Sequence, residues 1–182
     1  VLSKVAALSP PFAVKVVSRD IAHKTEVGGV KLGLRDVKAA QQAADAVIEN
    51  ARTAKPKAKI DGVLVSEMAS GLECLIGVIN DPSFGPCVAL GLGGVLTEVL
   101  RDVTYRVAPF DMATAHEMIN ELRGAKLFDG YRGSPPANRD ALAKMLMDVS
   151  CMAAALKDRI AEVDINPVFA GPETAVAADA LV

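Results

Sequence analysis

The sequence predicts an α+β protein, and three observations carry that prediction. Short Val- and Ile-rich runs bounded by Gly, Pro, Asp and Asn recur at 13–18, 60–67, 72–79, 87–92, 105–108, 160–168 and 175–180, which is strand patterning. Apolar residues at i, i+3, i+4 spacing mark three helices at 37–53, 111–122 and 141–158. The two kinds of segment do not alternate in a regular βαβ rhythm. Mixed or antiparallel sheets with packed helices are therefore expected, not a doubly wound sheet.

The first strand carries a charge in its middle. In Pro11-Phe12-Ala13-Val14-Lys15-Val16-Val17-Ser18, period-two geometry puts Lys15 on one face and Val14 and Val16 on the other. Such a lysine either lays its stem along apolar surface or aims its ammonium at an anion such as a phosphate. Eight residues later His23 enters Ala22-His23-Lys24-Thr25-Glu26-Val27-Gly28-Gly29-Val30; it is one of two histidines in the chain. An imidazole can serve as base or as phosphate acceptor, or simply face solvent in a turn. Gly28 and Gly29 bring backbone N–H groups close to an anion because no Cβ intervenes.

Asp36 reads as the N-cap of the first helix. The segment 54–57 is a helix end and loop, not a domain linker. The strand 60–67 reads as buried and ends on Glu67; Glu73 opens the next strand after the turn Ala69-Ser70-Gly71. These carboxylates are either solvated strand ends or hydroxyl ligands, for instance to a ribose. Asn80-Asp81-Pro82-Ser83-Phe84-Gly85-Pro86 is a turn cluster expected to join two strands as a hairpin. Gly91-Leu92-Gly93-Gly94 lacks the spacing of a dinucleotide or P-loop signature and can merely turn the strand into the segment 95–100. His116 lies on the second helix without ligand spacing and receives no role. Gly130-Tyr131-Arg132-Gly133-Ser134-Pro135-Pro136 is an irregular loop before the longest helix, opened by Asn138 or Asp140. The helix's Met145 and Met152 fall in its core stripe.

The C-terminal strands bring oxygen ligands together. Asp164 and Asn166 are two apart and share a face. The turn at 170–174 returns the chain so that Asp179 comes opposite Asn166. Two carboxylates and an amide oxygen suit a hard cation such as Mg²⁺. An Asp beside the buried-looking Ile-Asn-Pro run also needs a partner, because an unpaired buried carboxylate is costly.

Composition narrows the class. The chain has 182 residues, enough for one domain or two small subdomains, with 51% hydrophobic residues, only 4% aromatic and no Trp. The interior is therefore built from Val, Leu, Ile, Ala and Met. A net charge of −2 with scattered Lys and Arg argues against a nucleic-acid partner. Cys74, Cys87 and Cys151 read as reduced, buried thiols of a cytoplasmic protein. No apolar run approaches the roughly 18 residues a membrane span needs, and no signal-peptide layout is present. The start, Val1-Leu2-Ser3-Lys4, without an initiator Met, reads as cut from a longer polypeptide.

Taken in order, PFAVKVVSRDIAHKTEVGGV (11–30), GVLVSEM (62–68), GLE (71–73), NDPSFGP (80–86), GLGG (91–94), YRVAP (105–109), GYRG (130–133) and EVDINPV (162–168) resemble the ATP-grasp domain of the NDP-forming acyl-CoA synthetases, relatives of the succinyl-CoA synthetase β subunit. The resemblance covers nearly the whole chain and implies an ATP-grasp fold, N-terminally truncated, with 1–67 forming most of the first subdomain and 68–182 the second, which holds the nucleotide and metal site. It implies the reaction acid + CoA + ATP ⇌ acyl-CoA + ADP + phosphate. Lys15 would contact ATP phosphates, Glu67 and Met68 would receive the adenine, and Glu73 would bind ribose. His23 would relay the phosphoryl group, and Asn166 and Asp179, with Asp164 beside them, would hold Mg²⁺. The Asp164 position looks like a Glu in succinyl-CoA synthetase, and Glu26 stands where Asp is expected. The CoA-binding and ligase-type domains would belong to the same polypeptide or a partner subunit of an oligomeric parent, and the chain alone is expected to bind nucleotide poorly and to be inactive. The alternative is an ATP-grasp-like sensor module of a fused acetyltransferase.

Overall fold

In a computed structural model, which describes residues 7–94 and 102–182, strands and helices gather into two units, Val1–Met68 and Ala69–Val182. The chain start at 1–4 and the segment 95–100, both singled out above, lie outside the described residues.

Among the described residues, the first unit is a three-stranded antiparallel sheet backed by one helix. Strands β1 (Phe12–Val17), β2 (Val30–Leu34) and β3 (Gly62–Glu67) lie in the order β2-β1-β3. Helix α1 (Val37–Ala54) follows β2. Its N-cap is Asp36, whose extended backbone lets the carboxylate accept the Ala39 N–H at 2.7 Å. Ala40, Ala43, Val47 and Ala51 form the buried stripe of α1 and pack with Phe12, Val14, Val16 and Ile21. Small residues on the helix let it sit close to the sheet, and alternation along β1 turns Val14 and Val16 toward it.

Strand β2 has no counterpart among the expected strands. Val30-Lys31-Leu32-Gly33-Leu34 is short and mostly exposed, so little burial patterning betrays it. Pairing with β1, through Lys15↔Val30 and Val14↔Lys31, makes it a strand. Strand β3 is half-buried, where the sequence suggested a buried run; among the described residues of this unit, helix α1 packs on one face of the sheet.

The second unit is a larger antiparallel sheet with helices on one face. It contains β4 (Leu72–Asp81), β5 (Gly85–Leu92), β6 (Val103–Val107), β7 (Glu162–Ala170), β8 (Ala175–Ala177) and β9 (Ala180–Leu181), in the order β6-β5-β4-β7-β8, with β9 also on β7. Helices α2 (Met112–Glu121) and α3 (Arg139–Ala155) and a short 3-10 segment (Ala125–Asp129) cover the sheet. Ile76, Leu90, Leu92, Met118, Phe128, Leu142 and Leu146 are at most 1% exposed at its centre. The turn between β4 and β5 is the expected hairpin, closed by Asp81, which accepts the N–H groups of Ser83 at 2.8 Å and Phe84 at 2.9 Å.

Most element boundaries lie within two residues of those expected, Asn138 is one of the two openings expected for the longest helix, and two departures are larger. Helix α3 opens at Asn138, which caps the Ala141 N–H at 2.9 Å, and ends at Ala155, three residues before the expected end. The single strand expected at 175–180 is broken into β8 and β9, leaving Ala178 and Asp179 between them. Pro167 on β7 offers no N–H to the ladder there, although its carbonyl accepts the Ala178 N–H.

Candidate functional site

Lys15 occupies the centre of β1, in register with Val30 on one side and Leu64 on the other. It is half-buried on the face opposite Val14 and Val16, both of which are fully buried against α1. Within the first unit no helix among the described residues covers that face, and Val17, Leu32 and Leu64 are between 41% and 60% exposed. A lysine on a strand face shared with exposed apolar side chains is the arrangement expected either of a stem laid along apolar surface or of a cation aimed at an anion.

β1 leads into the turn that carries His23, which is exposed. Ile21 is 2% exposed in the core, and the Asp20 carboxylate accepts the Lys59 N–H at 2.7 Å. At the far end the Gly29 carbonyl accepts the Val16 N–H, and the Gly29 N–H donates to the Lys24 carbonyl, both at 2.8 Å. A Cβ at Gly29 would lie 2.6 Å from a Val16 methyl, so only glycine lets the returning backbone sit this close to β1. The result is an exposed imidazole on a turn whose two feet are fixed.

Glu67 and Met68 close the end of β3. The Glu67 carboxylate accepts the Ser9 N–H at 2.5 Å, the Met68 N–H donates to the Pro11 carbonyl at 2.9 Å, and the Met68 sulfur receives the Gly33 N–H at 3.0 Å. These contacts tie the strand ends together, so both residues have structural work whatever else they do.

In the second unit Glu73 lies near the start of β4, half-buried and paired with Phe169 of β7. Its carbonyl accepts the Gly93 N–H at 2.6 Å. A Cβ at Gly93 would fall 2.6 Å from the Glu73 Cγ, and one at Gly94 would fall 3.2 Å from its carboxylate. The Gly-Leu-Gly-Gly run therefore leaves room for the Glu73 side chain, a reason that its spacing alone did not reveal. The neighbouring Cys74 thiol is pushed up to about 12, first by burial and then by the Glu73 charge, and stays protonated and unreactive. The other thiols correct the expectation of uniform burial: Cys87 is half-buried and Cys151 exposed.

Asp164 and Asn166 stand on one face of β7, both exposed, while Val163 and Ile165 turn into the core. The Asn166 N–H donates to the Asp179 carbonyl at 3.2 Å, which makes the two residues cross-strand neighbours. The Asp179 carboxylate accepts the Ala180 N–H at 3.1 Å. Water reaches the Asp164 carboxylate, so it does not carry the desolvation cost expected of a buried one. No cluster of three or more His, Cys, Asp or Glu that could hold a metal exists among the described residues. What the hairpin provides is two carboxylates and an amide, all oxygen donors, open to water. That chemistry fits Mg²⁺, which keeps several waters and needs few protein ligands.

Of the eight candidates, then, Lys15, His23, Glu67 and Met68 belong to the first unit, and Glu73, Asp164, Asn166 and Asp179 to the second. Two polar residues not anticipated from the sequence hold the second unit's scaffold. Asp102, 6% exposed, accepts the N–H groups of Arg123 and Gly124, each at 2.8 Å. Arg139 bonds Asn120, the Ala125 carbonyl and Asp129 and stacks over Phe128. Neither stands in a sequence pattern that marks it. His116 lies 3.1 Å from the exposed Asp140, a surface contact.

Residues 2–182 match the family model of the ATP-grasp domain. The β subunit of acetate–CoA ligase [ADP-forming] I from Pyrococcus furiosus is 42% identical over 171 residues, covering 93% of this chain and 73% of that subunit. The 4-hydroxybutyrate–CoA ligase [ADP-forming] of Nitrosopumilus maritimus is 38% identical over 160 residues, 87% of this chain but only 23% of that longer protein. Among solved structures, the dinucleotide forming acetyl-coenzyme A synthetase 1 of Ca. Korarchaeum cryptofilum, in complex with coenzyme A and Ca-AMPCP, superposes with a TM-score of 0.92 at 38% identity, covering 98% of this chain and 78% of that one. The same relative has been solved with a phosphorylated phosphohistidine segment in a site I orientation, and with Mg-AMPPCP and that segment pointing towards the nucleotide binding site. Sequence, fold and coverage agree: the chain belongs to the ATP-grasp domains of the ADP-forming acyl-CoA synthetases.

Proposed function

We propose that this chain binds Mg·ATP and exchanges its γ-phosphoryl group with His23, as the nucleotide-handling part of an acyl-CoA synthetase that interconverts acid, CoA and ATP with acyl-CoA, ADP and phosphate. In the direction of ATP synthesis an acyl phosphate gives up its phosphoryl group to an imidazole nitrogen, and ADP then takes it. In reverse, an N–P bond forms at His23 as the bond from the γ-phosphorus to the β–γ bridging oxygen breaks and ADP leaves. Such a transfer depends mostly on positioning and charge. Lys15 supplies a cation at the phosphates, the strand end at Glu67 and Met68 receives the adenine, and Glu73 accepts the ribose hydroxyls. Asn166 and Asp179, with Asp164 beside them, hold Mg²⁺, which when bound neutralises charge on the phosphate oxygens.

The observation that carries this reading is the placement of His23, exposed on an anchored turn that follows directly from the lysine-bearing strand. A relative of the same fold presents a phosphohistidine segment in two orientations, which supports a carrier role for the one turn histidine here. CoA-binding and ligase-type domains, in the same polypeptide or a partner subunit, complete the reaction. Relatives named for acetate and for 4-hydroxybutyrate share this domain, which supports placing acid selection outside it. Three free thiols support a reducing, cytoplasmic setting, and no helix among the described residues is long and apolar enough to cross a membrane.

Incubating the complete enzyme with γ-labelled ATP tests the assignment. Acid-labile phosphate should appear on this chain and vanish in His23→Ala, with transfer from acyl phosphate to ADP lost in parallel. Unchanged transfer in His23→Ala would remove His23 from the mechanism.

A further inference from the structure

We infer that Asn50 is a positioning residue for the phosphoryl carrier: acting through Gly28, it latches the His23 turn to helix α1. The inference rests on the reading of His23 as carrier. A carrier has to be held while it reacts and released before it can reach a second partner, so its turn needs permanent feet and a contact that breaks easily.

The feet are the buried Ile21, the Asp20–Lys59 bond at one end and the Gly29–Val16 seat at the other. Two of these do not open freely: Ile21 would have to leave the core, and the Gly29–Val16 bond lies between buried residues. Between them Ala22, His23, Thr25 and Glu26 are exposed. Onto this span α1 sends the Asn50 side chain, whose amide donates to the Gly28 carbonyl at 3.0 Å. Gly28 has φ +63°, a left-handed conformation that glycine adopts without strain, and a Cβ there would stand 3.0 Å from the Asn50 amide nitrogen. The latch and its catch thus occupy the same small space.

The platform behind the latch is rigid. Val47 and Ala51, which flank Asn50 on α1, are both fully buried. Asn50 itself is exposed, and an exposed bond between neutral groups trades readily with water, so it opens at little net cost. That combination, a fixed base and an easily broken bond, is what a releasable hold requires.

Asn50→Asp tests the bond, because it keeps the size and removes the donor; Asn50→Ala removes the side chain altogether. In the complete enzyme, single-turnover phosphorylation of His23 by saturating ATP should slow on the order of fivefold or more in both variants, as expected when a reacting group loses orientation. Affinity for ATP should stay within about twofold, because Asn50 is not among the groups assigned to the nucleotide. Trypsin cleavage after Lys24 in the native protein should accelerate, with the melting temperature nearly unchanged; a merely structural role would lower the melting temperature without this split. Native rates of both His23 phosphorylation and Lys24 cleavage in both variants would overturn the proposal. If native and His23→Ala enzymes are labelled alike, the carrier reading fails, and Lys24 cleavage alone then decides whether Asn50 holds the turn. Should Asn50→Ala not fold, the same two rates measured in Asn50→Asp decide the matter.

Discussion

Glu73 and Gly93 share a space that admits one side chain. With the Glu73 Cγ 2.6 Å from where a Cβ would stand, Gly93→Ala must displace either the glutamate or the strand end behind it. Overpacking of this kind costs about 1–3 kcal/mol, so the variant should melt earlier. Isothermal titration should also show weaker binding of Mg·ATP to the complete enzyme if Glu73 holds the ribose; affinity unchanged beside a lowered melting temperature would make the glycine purely structural. Next along the strand, Cys74 gives a pH signature. Its pKa rises from 9.0 to about 12 on folding, because burial and the Glu73 charge disfavour the thiolate. The unfolded chain therefore loses this proton first as pH rises. Stability linked to Cys74 is complete below pH 9.0 and falls progressively as pH rises toward about 12. Cys74→Ala should flatten that alkaline loss in chemical denaturation measured across the window, even if its stability at neutral pH is lower. An identical alkaline slope would mean that the thiol does not titrate differently in the two states.

At the scale of elements, the interrupted edge formed by β8 and β9 matters more than its length suggests. The break leaves the register intact: β8 pairs Ala177 with Val168 and β9 pairs Ala180 with Ile165. Asp179 therefore keeps the place opposite Asn166 that one continuous strand would give it, with the Asn166 N–H on its carbonyl. The exposed Asp179 carboxylate accepts the Ala180 N–H and remains accessible to a cation. If this hairpin holds Mg²⁺, Asn166→Ala and Asp179→Ala should each weaken Mg·ATP binding on the order of tenfold, or about 1.4 kcal/mol. Nucleotide titrated without divalent cation should bind the variants and the native protein alike. Equal loss with and without Mg²⁺ would point to a distorted hairpin, not to a missing ligand. Strand β2 makes the companion point: an edge strand with exposed side chains is specified by its partner, here β1, more than by its own alternation.

For the whole molecule, two cores divide the stability. One gathers Phe12, Val14, Val16 and Ile21 with the alanine-rich face of α1, and the other gathers the larger sheet with α2 and α3. Leu146→Ala should cost about 3 kcal/mol, and Val47→Ala somewhat less because fewer atoms are removed. Hydrogen exchange should then lose protection first within Ala69–Val182 for the former and within Val1–Met68 for the latter. Uniform loss across both units in either variant would show that they open as one. Much of this architecture was legible in the sequence. Val14, Val16, Leu142 and Leu146 announce their faces by periodicity, Asp36 and Asn138 announce helix starts, and Asp81 with Gly85 announces a hairpin, because each signal is local. The candidate site residues stood out as well, since a lysine within an apolar strand, a histidine in a glycine turn and an Asp-x-Asn pair are unusual in place and spacing. What local signals could not carry were the relations between distant segments. Asn50 meets Gly28 across 22 residues, Asp102 meets Arg123 and Gly124 across 21 and 22, and Ser9 meets Glu67 across 58. The sequence by itself determined most of the strands, the three long helices, which faces are apolar and which residues are candidates for phosphoryl chemistry, because those properties follow from side-chain type and period. Only the tertiary structure decided that β2 exists, that Asp164 is open to water, that the glycines at 93 and 94 make room for Glu73 and that α1 reaches the His23 turn. Those are facts of pairing and close approach, set by which surfaces the two cores bring together.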